Sequence, residues 1–75
     1  MIKFMKELGI GTIFKYRGQE YVLAGQFGAL YGNHLIEGPV TWASNYYLTI
    51  TMINNLPAIN GFPGECRVEV IKEPK

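Results

Sequence analysis

Ile13-Phe14-Lys15-Tyr16-Arg17-Gly18-Gln19-Glu20-Tyr21-Val22 consists of two alternating runs on either side of Arg17-Gly18. A two-residue turn needs positive φ, which Gly18 supplies without steric cost. The register is then Tyr16 opposite Gln19, Lys15 opposite Glu20, Phe14 opposite Tyr21 and Ile13 opposite Val22. Phe14 meets Tyr21 on one face, and Lys15 meets Glu20 on the other. Each complementary pair contributes roughly 0.2–1 kcal/mol. One register that yields both an aromatic pair and an opposite-charge pair predicts a β-hairpin.

The rest of the chain is punctuated in the same manner. Nine glycines and four prolines interrupt short segments rich in Tyr, Thr, Ile, Val and Phe, the pattern of short strands and turns. Gly25-Gln26-Phe27-Gly28 and Gly32-Asn33 are expected to turn the chain. Leu35 to Glu37 begins a third strand, broken at Gly38-Pro39 and resumed over Val40 to Ala43. Tyr46 to Ile53 is a strong strand. Its Tyr46, Leu48, Ile50 and Met52 are expected to face the core, with Tyr47, Thr49 and Thr51 on the other face. Asn54 to Glu65 carries Asn-Asn, Leu-Pro, Asn-Gly and Phe-Pro-Gly, and predicts a long turn-rich loop of the kind that often carries function. Cys66, Val68 and Val70 are expected to face inward on a last strand, with Arg67 and Glu69 outward. Residues 1–8 fit a short helix ended by Gly9 or a strand through Ile2 and Phe4.

These elements predict a single domain over residues 1–75. It is all-β, or mainly β with a short N-terminal helix, built as a small SH3-like or OB-like partly open barrel. At 75 residues such a core is marginal. Cys66 is the only cysteine, so no intrachain disulfide forms, and no set of four Cys or His ligands exists for structural zinc. Charged residues make up 17%, below the ~25% usual for soluble proteins, while aromatics reach 13%. Such a chain has too few solvated groups to cover its surface, which predicts a homo-oligomer or a covered apolar patch.

Several function classes are disfavoured. A net charge of +1, with cations scattered along the chain, lacks the basic stripe of a duplex-DNA binder. No apolar stretch is long enough for a membrane span or an export signal. With the lone thiol, this reads as a reducing cytoplasm. Cys66 and His34 are the only thiol–imidazole combination, and their spacing gives no dyad. Ser44, the only serine, lacks a G-x-S-x-G setting. No carboxylate pair is brought together by spacing. Gly25-x-x-Gly28-x-x-x-Gly32 lacks the Gly-Lys-[Ser/Thr] of a phosphate loop. The chain is therefore expected not to be an enzyme and to need no cofactor or metal.

The aromatics point to binding, since Tyr, Trp and Arg dominate contact hot spots. Trp42 and Tyr46 are assigned to the core. Tyr16, Arg17, Tyr31, His34, Tyr47, Asn60, Phe62 and Arg67 are the candidate ligand- or partner-binding residues.

The stretch from Ile10 to Leu23, with its Ile-Gly start and F-x-Y-x-G-x-x-Y form, resembles the opening hairpin of small phage and mobile-element β proteins. It covers about a fifth of the chain and names no specific family. The resemblance implies an accessory protein that blocks a host protein or sequesters a small nucleotide-like ligand, acting in the host cytoplasm. A single-strand nucleic-acid-binding barrel and a structural assembly component are the alternatives.

Overall fold

A computed structural model describes residues 1–31, 34–36, 38, 40 and 46–74, without the side chains of Phe27, Leu30, Tyr31 and Leu35. Among the described residues, seven strands form one antiparallel sheet: β1 (Ile2–Phe4), β2 (Ile13–Tyr16), β3 (Gln19–Tyr31), β4 (His34–Ile36), β5 (Tyr46–Ile53), β6 (Leu56–Pro63) and β7 (Arg67–Lys72). Their spatial order is β1-β7-β2-β3-β5-β6, with β4 paired to the end of β3. The sheet curls on itself as a small, all-β, partly open barrel.

The opening hairpin has the predicted register from Ile13↔Val22 to Tyr16↔Gln19. Arg17 and Gly18 take φ of 50° and 81°, as a tight turn between right-twisted strands requires. The Phe14 and Tyr21 rings stack with centroids 5.4 Å apart. Gly25 and Gly28 do not end β3. They sit at two register shifts against β5, so what reads as a bend is a bulged strand that continues to Tyr31. The N-terminal segment combines both readings: β1 pairs with β7, and a single 3-10 turn over Met5–Glu7 follows it. Phe4 N–H donates to Glu7 Oε1 at 3.3 Å across that turn.

Asn54 to Glu65 is the largest departure. It is no loop. Asn54 and Asn55, with φ of 52° and 65°, make a two-residue turn, and β6 then pairs with β5 along its whole length. His34 is likewise in a strand rather than a turn, though exposed. The expected turn at Gly32-Asn33, the strand resumption through residues 41–43, Trp42 and Ser44 all lie outside the described residues.

The core is Met5, Phe14, Leu23, Phe62 and Val68, with Leu8, Tyr16, Tyr21, Tyr47 and Cys66 packed around it. Phe62 stands edge-on to Phe14 at 5.5 Å, to Tyr16 at 5.4 Å and to Tyr21 at 4.9 Å. Main-chain bonds from Met5 N–H to the Cys66 carbonyl (2.9 Å) and from Lys6 N–H to the Gly64 carbonyl (3.1 Å) tie the 3-10 turn beneath the end of β6.

The two faces of β5 are the reverse of the expectation. Thr49 and Thr51 are buried at 0% and 3% exposure, while Ile50 and Met52 remain 39% and 55% exposed. Threonine is tolerated inside because its hydroxyl is satisfied. Thr49 Oγ1 donates to the Asn60 carbonyl at 3.1 Å. Thr51 Oγ1 donates to the Glu20 carbonyl and accepts from Gln19 Nε2 at 2.7 Å. Thr51→Val keeps the volume but leaves Gln19 short of an acceptor, so thermal unfolding should show a loss of about 1–2 kcal/mol. Met52→Thr, on the open face, should change stability by about 0.5 kcal/mol or less.

Candidate binding surface

The strand registers place four β-branched side chains in one row across the outer face. Ile13 lies opposite Val22, Val22 opposite Ile50, and Ile50 opposite Ile59. Period-2 alternation sends all four to the side away from Phe14, Thr49 and Phe62. Val22 is 40% exposed and Ile59 69%. Met52 flanks the row, and a groove of about 430 Å³ lies beside Ile13, Val22 and Ile50, lined also by Gln19, Glu20, Tyr21, Thr51 and Met52. Neither β5 nor β6 contains a single charged residue. An antiparallel sheet with one face in water ordinarily carries polar residues there, so this face is built for contact rather than hydration.

The candidate residues from the sequence are spread over several places. Tyr16, Tyr47, Asn60 and Phe62 gather on the inner side. Phe62 is buried, Tyr16 leans on it, and Tyr47 is its cross-strand neighbour. Asn60 is half-buried, and its carbonyl is taken by Thr49. Arg17 sits at the hairpin tip with its guanidinium 5.3 Å from the Tyr16 ring centroid. His34 starts β4 at the other end of β3, where its Cα partner is Tyr31, whose side chain is not described. Arg67 opens β7, opposite Phe4 of β1.

Around Arg67 is a second, more polar depression of about 320 Å³, lined by Ile2, Lys3, Phe4, Glu7 and Arg67. The Phe4 ring has the Arg67 guanidinium 5.3 Å and the Lys6 ammonium 5.5 Å from its centroid. The lysines here are matched. Lys3 bonds Glu73 and Lys6 bonds Glu65, each at 2.8 Å. The hydrogen bond to Glu73 raises the Lys3 pKa and lowers that of Glu73, and the bond to Glu65 raises that of Lys6. These groups are solvent-exposed, so the pairs orient side chains more than they stabilise the fold.

No group of three or more His, Cys, Asp or Glu able to hold a metal occurs among the described residues. Cys66 is half-buried against the core cluster. Among the described residues, no helix is long and apolar enough to cross a membrane.

Comparison with protein families, curated proteins and solved structures finds no match. The chain's own surfaces must carry the functional reading.

The outer row escapes a reading of the sequence for one reason. Hydrophobicity assigns Ile50 and Met52 to the core, and the turn residues around Ile59 assign it to a loop. The signal that could have found the row is the register itself, extended from Ile13↔Val22 into β5 and β6.

Proposed function

We propose that this chain is a non-catalytic binding protein that covers an apolar surface of another protein with the outer face of its sheet. The observation that carries the reading is the exposed row Val22, Ile50 and Ile59, with half-buried Ile13 at its end and Met52 beside it. Of the two modes implied by the likeness to phage-type accessory proteins, blocking a protein fits this surface better than holding a nucleotide. Nucleotide stacking needs free aromatic faces beside cations, and Phe62 is buried while Tyr16 packs against it. Single-strand nucleic-acid binding is disfavoured by the pairing of Lys3 and Lys6 with glutamates. With one free thiol, the reading places its action in a reducing compartment, the cytoplasm.

Ile50→Lys tests this. Position 50 is already open to water, so the variant should keep its thermal unfolding close to that of the parent. A charge at the centre of the row should cost about 2 kcal/mol or more of binding, roughly 30-fold in affinity. Native mass spectrometry of protein from the cells that make it should show a second polypeptide retained by the parent and lost from Ile50→Lys. Retention of a nucleotide by both, with no polypeptide on either, would sink the proposal.

A further inference from the structure

We infer that the free edge of β6 pairs with the β6 edge of a second copy of this chain, about a two-fold axis at Asn60. The edge adjoins the outer face at Ile59, but its pairing is made by main-chain groups and does not depend on what that face binds.

In a two-residue hairpin the closing residues exchange both of their hydrogen bonds, and exchange then recurs at every second pair. With Ile53↔Leu56 as the closing pair, Thr51↔Ala58, Thr49↔Asn60 and Tyr47↔Phe62 exchange bonds across β5 and β6. The intervening residues Pro57, Ile59, Gly61 and Pro63 turn their main-chain groups away from β5. Among the described residues no strand lies on that side.

The two prolines fall on the outward positions, where a missing N–H costs the sheet nothing. They leave the edge with two outward N–H groups, those of Ile59 and Gly61. A copy related by a two-fold at Asn60 sets Ile59 opposite Gly61 and Gly61 opposite Ile59. Four hydrogen bonds form, and every outward donor and acceptor of these two residues is used. Beyond them Pro57 faces Pro63, neither with a donor, so the pairing stops there; a register shifted by two residues sets a Gly61 or Ile59 carbonyl against a proline nitrogen and leaves it unused.

The side chains follow the same symmetry. Within β6 the two-fold at Asn60 pairs Ile59 with Gly61, Ala58 with Phe62 and Pro57 with Pro63. Large faces small at the first two. Ile59, 69% exposed, meets a glycine of the other copy. No charge lies between Tyr46 and Gly64, so two copies approach without like-charge repulsion. An isologous contact of this kind is what a two-fold dimer requires. It is short and covers less than the ~800 Å² per partner of a standard interface, so the dimer is reversible.

Sedimentation equilibrium of the whole chain tests this. Average mass should climb from one chain toward two as concentration rises to about 1 mM, the range of weak contacts. Gly61→Pro removes one outward N–H per chain at a position equivalent to Pro57 and Pro63, and should weaken association at least tenfold. Pro57→Thr combined with Pro63→Thr returns the missing donors and should strengthen it at least tenfold. Ile50→Lys, on the outer face, should leave it unchanged. A parent chain that stays monomeric throughout overturns the inference. So does a dimer indifferent to both proline changes, or one abolished by Ile50→Lys alone.

Discussion

Phe14→Ala should leave the protein without a cooperative unfolding transition at room temperature. Phe14 is fully buried and is the ring on which the interior is organised, stacked on Tyr21 and met edge-on by Phe62. Truncating a buried phenylalanine costs about 3–5 kcal/mol, from lost transfer energy and the cavity left behind. A single core in a chain of this length supplies roughly the same amount in total. No disulfide limits the unfolded chain, since Cys66 is free. Circular dichroism against urea is the measurement. Phe14→Leu, which fills most of the space, should keep a sigmoidal transition. An alanine variant with a midpoint close to the parent's would show that the aromatic cluster contributes far less than its burial implies.

Gly28→Ala should be the most damaging single-methyl addition. Gly28 has φ of 85°, where an L-residue costs roughly 1–2 kcal/mol before any contact is considered. Its Cβ would also press on the Ile36 carbonyl and stand 2.6 Å from the Gly38 nitrogen. These are main-chain atoms and cannot swing aside. Relief requires β4 to leave β3, which breaks the Ala29↔Ile36 pairing. The expected loss is about 3 kcal/mol or more, with faster amide exchange at Ala29 and Ile36. Gly25→Ala is the control, since a methyl group there meets nothing within 4 Å and the φ is ordinary. It should be neutral or slightly stabilising, through the unfolded chain. Equal effects at positions 25 and 28 would contradict the close approach.

What could be read from the sequence divides along a physical line. The opening hairpin was legible to the residue because its turn, its aromatic pair and its charge pair agree on one register. The curled all-β form follows from short strands that must close their edges. The face of β5 was not legible. Hydrophobicity alone favours Ile50 and Met52 inside, yet the barrel's small interior takes Thr49 and Thr51, each satisfied by a carbonyl of a neighbouring strand. Those carbonyls belong to Asn60 and Glu20, and their proximity is a tertiary fact. β6 is hidden for a related reason. Pro57, Pro63 and Asn60-Gly61 are loop signals in isolation, but an edge strand accepts proline wherever the nitrogen points away from its partner. The aromatic binding set illustrates the same limit. Tyr16, Tyr47 and Phe62 look surplus by count, and only the curling of the sheet brings them onto one another.

The position of β7 has a consequence for how this molecule comes into being. β7 lies between β1 and β2, and Val68 from it completes the interior. The meander of β2, β3, β5 and β6 can assemble from neighbours in the chain. β1 and the 3-10 turn cannot, because their main-chain partners are residues 64–70. During synthesis, β1 and the 3-10 turn must therefore wait until residues 64–70 have emerged. Until then Met5 and Phe14 lack their cover from Val68, and the growing polypeptide is exposed to aggregation or to chaperones.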